Sequence, residues 1–276
     1  MGHYILHSAD LPERLHAYAD SVGASEQELL AAYIALRETG IIAERTKPRT
    51  GSAKHVYISY IDLEHQIEDP VQRRLYHVLK SEIPARLPPR PGINLQTLTD
   101  RGRRAWEQIY NILISKIPSH WIRLTWLRAG GMKIGKGSSV WRNTEILGIE
   151  NIVLGEDTCV GWHCLLDGRA GLIVGDHVTI ASYVLIVAGV HELDAEDFGI
   201  VGDPIYIDDY AWLATRSMVV HGGRLGYGAV VGAGTIVNKE IAPYSVVGGF
   251  NAKPMGERTH HLDYRVNPRG LYNFLH

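Results

Sequence analysis

The sequence predicts a mainly β protein, a parallel β-helix preceded by an N-terminal α+β domain that is mostly helical. Three observations predict it. From Ile207 to Ala242 an aliphatic residue opens every block of six, at Ile207, Leu213, Val219, Leu225, Val231 and Val237. Small residues follow four places later, at Ala211, Ser217, Gly223, Ala229 and Thr235. A step of six fits neither the 3.6 of a helix nor the 2 of an ordinary strand. It fits stacked triangular coils made of three short faces each. The same step runs back, with slips, to Ile134, and it is absent from residues 1–115.

Within residues 1–115, Leu11 to Val22 reads as a helix with Asp10 as its cap and Pro12 in its first turn. Ser25-Glu26-Gln27-Glu28 is a capping box that opens a second helix, and Gly40 closes it. Ile41–Arg45 and His55–Ile61 read as strands around a basic turn with Pro48 and Gly51. Asp69-Pro70 opens a helix that is apolar at Val71, Leu75, Val78 and Leu79. A Pro-rich connector, 87–92, precedes a short strand over 93–98 and a helix capped by Thr99. The helix-helix-hairpin-helix order resembles a winged-helix module. DNA binding would need a basic face, however, and residues 1–115 carry 14 basic and 14 acidic residues. Arg101, Arg103 and Arg104 then read as a solvated helix face.

Residues 116–131 form a connecting segment. Ser119–Ala129 reads as an amphipathic helix with Trp121, Leu124 and Leu127 inward and Arg123 and Arg128 outward. The repeats occupy 132–256. Ile134, Val140 and Ile146 make one coil, Leu154, Val160 and Leu166 a second, and Val174, Ile180 and Ile186 a third. Two more start at Ile207 and Leu225, and 257–276 is a tail. Each inward aliphatic contributes roughly 1.5–3 kcal/mol once neighbouring coils cover it.

Net charge is -2, so no global field recruits nucleic acid or an anionic surface. The start of the chain does not read as a signal peptide, and no run of about 18 apolar residues reads as a membrane span. A cytoplasmic location is the expectation. The two cysteines, Cys159 and Cys164, match no zinc or redox spacing.

Chemistry is expected where the repeat breaks. After His191 an excursion over 192–206 interrupts the coils, and its start is too polar for a coil face. Long loops on a rigid scaffold are common homes for function. A histidine at the root of one can act as a general base near neutral pH.

The stretch from about Ser119 to Tyr264 resembles the hexapeptide-repeat acyltransferases, nearest their sugar O-acetyltransferase branch of maltose and galactoside acetyltransferases. The resemblance is carried by 166–175, Gly189-Val190-His191-Glu192-Leu193-Asp194, 207–213, Val231–Lys239 and 247–254. It implies a left-handed β-helix, against the usual right-handed crossover. It also implies a homotrimer that binds acyl-coenzyme A, acetyl or succinyl, between neighbouring β-helices, and a saccharide or glycoside as acceptor. No metal is implied. His191 matches the base that deprotonates the attacking hydroxyl. Thr215 matches the position whose N–H meets the oxyanion. Trp212 matches the wall of the active site and Asp167 a contact to the acceptor, with Glu192 or Asp194 as further acceptor or orienting groups. Lys239, Lys253 and Arg258 match positions near the coenzyme phosphates. Ala214 borders the thioester slot, and Gly232, Ala233 and Gly234 let the pantetheine arm approach. Departures from the family pattern are Ala214-Thr215 in place of a glycine-containing step, Val220-His221-Gly222-Gly223 in place of a proline-bearing turn, and the long N-terminal domain.

Three alternatives remain at this point. A serine O-acetyltransferase also has a helical N-terminal part. A zinc enzyme on this fold would need converging histidines, and His163, His177, His191 and His221 lack that family's spacing. A scaffold without catalysis would use the repeats for assembly alone.

Overall fold

The computed structural model describes residues 3–8, 10–46, 54–87, 98–193 and 198–266. They form two compact units, one of residues 1–101 with 190–202 and one of residues 102–189 with 203–276.

In the first unit the capping box forms as read. Ser25 Oγ accepts from the Glu28 N–H, the Glu28 carboxylate accepts from the Ser25 N–H, and α-helix Glu26–Glu38 follows, with Gly40 beyond it at φ 74°. Asp69 likewise caps Pro70–Ser81, accepting from the N–H groups of Val71 and Gln72. Leu75 and Leu79 of that helix are buried, whereas Val71 and Val78 are half-buried. The first helix departs from expectation. It is split into Leu11–Arg14, a 3-10 turn Leu15–Tyr18, and Ala19–Val22. Asp10 does not cap it, because its carboxylate is 2.9 Å from Arg14, one turn along.

The hairpin strands are Ile42–Thr46 and Lys54–Ser59, antiparallel and in register from Ile42↔Ile58 to Thr46↔Lys54. The basic turn at Pro48 and Gly51 and the short strand over 93–97 lie outside the described residues. A strand that the sequence does not signal, His3–Ser8, pairs antiparallel with Lys54–Ser59 and parallel with Ile200–Gly202. Gly189–His191 completes this five-stranded sheet at its edge. The excursion is thus not a free loop, since both its described ends are strands of this sheet.

The second unit is the β-helix. Its three faces are parallel sheets of six, seven and five strands, the seven-stranded one ending in an antiparallel hairpin, Ser245–Gly248 with Lys253–Glu257. The aliphatic columns pair rung to rung as the six-residue step requires. Ile134 faces Leu154, which faces Val174, Ile207, Leu225 and Ile241 in turn. Val140, Val160, Ile180, Leu213, Val231 and Val247 line the second face. Ile146, Leu166, Ile186, Val219 and Val237 line the third. Ala211, Ser217, Ala229 and Thr235 are fully buried beside them. Close stacking demands glycine at places. A Cβ on Gly155 would lie 2.5 Å from the backbone of Gly175 in the next rung. At the corners, non-glycine residues sit at positive φ, among them Asn143, His163, Tyr183 and Arg216 in successive rungs of one corner.

Two helices sit at the N-terminal end of the coil, Leu98–Ile112 and His120–Ala129. Thr99 lies within the first turn of the former and is not its cap. Trp106 and Trp126 stack at 3.9 Å and bind them together. Asn111 mimics a strand for the first rung: its side-chain oxygen accepts from Ile146 N–H at 2.9 Å and its amide donates to Ile146 O at 2.8 Å. Two readings are corrected here. Arg123 is fully buried and Trp121 is exposed, the reverse of the amphipathic assignment. The terminal rung needs donors for its open carbonyls. Arg123 supplies them to Val140 O, at 3.1 Å, and to Ile117 O. Arg103 and Arg104 are not a solvated face either, because Arg104 bridges Glu107 and Glu150.

Candidate active site

His191 ends the strand Gly189–His191 in the first unit. Its Nδ1 lies 2.8 Å from the carbonyl oxygen of Phe198, and its ring stacks on the Phe198 ring with centroids 4.3 Å apart at 10°. A carbonyl only accepts, so Nδ1 carries the proton. In the neutral ring Nε2 therefore holds the lone pair, the tautomer a general base requires. The backbone across the excursion is pinned by the Glu192 N–H donating to Gly199 O at 3.0 Å. The group that orients His191 is thus a main-chain carbonyl. Glu192 points its carboxylate toward Arg45, 3.9 Å away. Asp194 lies outside the described residues.

In the second unit, Trp212 and Thr215 follow one another around a coil. Trp212 stands on the outer side of Trp212–Leu213, 44% exposed, in register between Thr179 and Val230. Ala214–Ser217 is a tight turn, closed by the Ser217 N–H donating to Ala214 O at 3.1 Å, with Arg216 at φ 59°. In equivalent turns the second residue's N–H donates along the coil to a side chain of the next rung, as Trp162 N–H does to Ser182 Oγ and Glu156 N–H to Asp176 Oδ1, but one rung on from Thr215 stands Ala233, which offers no side-chain acceptor. Among the described residues the Thr215 N–H has no acceptor. Gly232, Ala233 and Gly234 form the matching turn one rung on, where the Gly234 N–H donates to Thr215 O at 3.1 Å. Ala214, Thr215, Gly232 and Ala233 are therefore brought together at one corner. Lys239 is exposed in the turn between Ile236–Val237 and Glu240–Ile241, and Lys253 is exposed at the start of Lys253–Glu257.

Two residues are differently occupied. Asp167 is fully buried, and its carboxylate accepts a fork from Arg169 Nε and Nη2, both at 2.9 Å, plus the Arg169 N–H at 3.0 Å. Arg169 is the group this site presents outward. Arg258 donates to Tyr210 O and to the Tyr264 hydroxyl, each at 2.8 Å, and so straps the tail to the coil.

No family model matches the chain. It is 32% identical over 132 residues to the putative colanic acid biosynthesis acetyltransferase WcaF of Escherichia coli, which spans 48% of this chain and 72% of that protein. The chain belongs to the hexapeptide-repeat acetyltransferases. It is also 32% identical over 108 residues to a putative acetyltransferase of Schizosaccharomyces pombe, spanning about half (52%) of that relative's length. Among solved structures it is similar to a maltose O-acetyltransferase from Clostridium difficile, at 25% identity and TM-score 0.55 over 60% of this chain and 91% of that one. The fold is likewise that of a galactoside acetyltransferase in complex with coenzyme A, at 22% identity and TM-score 0.53 over 61% and 88% of the two chains.

Beside these family positions the structure adds residues that sequence reading missed. The sequence offers His221 only as one of several histidines. Its Nε2 lies 3.1 Å from Asp203 Oδ2, at the point where the chain returns to the coil and the Asp203 N–H donates to Ala188 O. The Phe198 carbonyl has no sequence signal, because any residue carries one. The Asp167–Arg169 fork had one, an acid and a base two residues apart across a glycine. Among the described residues no three of His, Cys, Asp and Glu converge as a metal site would require.

Proposed function

We propose that the chain is an O-acyltransferase that moves an acyl group, acetyl or alternatively succinyl, from acyl-coenzyme A to a hydroxyl of a saccharide or glycoside. The observation that carries this reading is the imidazole of His191, locked by the Phe198 carbonyl with Nε2 left as acceptor. The names of the relatives support the reaction class, and the maltose and galactoside enzymes support the acceptor class.

His191 Nε2 takes the proton of the acceptor hydroxyl as its oxygen attacks the thioester carbonyl. The Thr215 N–H, unengaged among the described residues, donates to the oxyanion that forms. As the carbon–sulfur bond breaks, the imidazolium returns the proton to the departing sulfur. Trp212 offers an exposed aromatic wall. Ala214 and Gly232–Gly234 give a low-profile corner for a pantetheine arm, and Lys239 and Lys253 supply exposed cations for phosphates. Asp167 acts by holding the guanidinium of Arg169, which in turn meets the acceptor. The active assembly is a homotrimer.

The test is thiol release from acetyl- and succinyl-coenzyme A across a panel of saccharides, with serine included as an acceptor. His191→Ala is expected to lower kcat by about 10²–10⁴-fold. No release with any saccharide, or an unaltered rate in His191→Ala, sinks the reading.

A further inference from the structure

The helices Leu98–Ile112 and His120–Ala129 each use one side to close the end of the coil, through Glu107, Tyr110, Asn111 and Arg123. The outward side ought to be polar. Instead Ile109, Ile112 and Leu113, spaced i, i+3, i+4, are 40%, 59% and 61% exposed, and Trp121 and Ile122 are 69% and 36% exposed. The connection between the helices is only seven residues, 113–119, so these side chains gather at the same end of the helix pair.

Charge points the same way. Between Glu107 and Glu145 the sequence holds six Lys or Arg residues and no Asp or Glu, in a chain of net charge -2. Arg123 is buried, but Lys116, Arg128, Lys133 and Lys136 are exposed. Of the two flanking acids, Glu107 is buried and paired with Arg104, while Glu145 is exposed on the first rung.

We propose that this end of the β-helix is a peripheral membrane surface that docks on anionic phospholipid. Trp121 and the Ile109–Ile112–Leu113 stripe would enter the headgroup boundary, as an amphipathic helix lying in the interface does. Tryptophan favours that depth. Lys116 and Arg128 keep their charges at the level of the lipid phosphates. A second copy docking through the same patch would set these cations against their own images, which disfavours it. No helix among the described residues is long and apolar enough to cross a membrane, so the contact lies on the surface.

The full chain is sedimented with vesicles of phosphatidylcholine alone or mixed with phosphatidylglycerol, at low and high salt. It is expected to pellet with the anionic vesicles and to release as salt rises. The double variant Leu113→Ser, Trp121→Ser should weaken that partition roughly tenfold, with thermal melting unchanged because both side chains are exposed. Lys116→Glu should cut binding to the anionic vesicles alone. Wild-type protein that stays in the supernatant, or a double variant that pellets like wild type, overturns the proposal. So does a fall in the light-scattering mass of the double variant without lipid, which would make the patch a contact between copies.

Discussion

Asn111 stands in for a missing strand at the first rung, and replacing it should expose how much that rung depends on a side chain. Asn111→Ala removes both bonds to Ile146, the acceptor at 2.9 Å and the donor at 2.8 Å. A typical bond contributes about 0.5–1.5 kcal/mol net, so the part-buried pair should be worth about 1–3 kcal/mol. Asn111→Asp is the sharper probe. The introduced carboxylate still accepts from the Ile146 N–H, but its second oxygen faces the Ile146 carbonyl with no proton between them. Only the protonated acid restores the donor. Its folded pKa must therefore stand above its unfolded one. Its stabilising contribution is present at low pH and is lost as pH rises through the folded value. The measurement is the urea midpoint of both variants from acidic to neutral pH. Asn111→Asp should lie near wild type at the acid end relative to wild type under the same conditions, and fall to or below Asn111→Ala at neutral pH. A carboxyl variant as stable as wild type at neutral pH would refute the strand-mimic account.

Burial pushes the Cys164 thiol up to about 11, with Sγ 3.1 Å from Ala181 O. It should resist alkylation at neutral pH until the coil is unfolded, which a timed thiol-labelling experiment reads. Arg169→Ala leaves the buried Asp167 carboxylate without its fork and should cost about 1–3 kcal/mol, partly recovered by adding Asp167→Asn, as denaturant midpoints would show. Arg258→Ala should speed hydrogen exchange in residues 259–266. Lys253→Ala should instead raise the KM for acyl-coenzyme A and leave that exchange unchanged. In the first unit, burial raises the phenols of Tyr18 and Tyr33 to about 12. The unfolded chain loses these protons from about pH 10 while the folded one retains them, so stability should decline between about pH 10 and 12. Phenolate absorbance followed against unfolding would reveal coincident transitions.

The coils were legible because one constraint repeats. Every inward position must be aliphatic, and each rung must register on the last, so Ile134 and Leu225 announce the same column 91 residues apart. The caps at Ser25 and Asp69 were legible because their partners lie within three residues. Arg123 was not, since the reason to bury it is the open carbonyl of Val140 at the end of the coil, which helix periodicity does not contain. The strand His3–Ser8 was missed for a similar reason, because one of its partners, Ile200–Gly202, lies nearly two hundred residues away. For the candidate site, the sequence marked where the repeat breaks and which imidazole stands there. It did not show that a main-chain oxygen of Phe198 holds that ring, or that Arg169 occupies Asp167.

The interruption after Ala188 leaves no scar in the coil. Leu172, Ile173 and Val174 face Ile205, Tyr206 and Ile207 in unbroken register, and the strands Gly189–His191 and Ile200–Gly202, with the Asp203 N–H on Ala188 O, draw the two ends of the detour together. The spiral is therefore indifferent to what is spliced in at that seam. Segments of other lengths and chemistries can be exchanged there while the stack beneath keeps its pitch, so a lineage can retool its reactive edge without rebuilding the pillar that carries it.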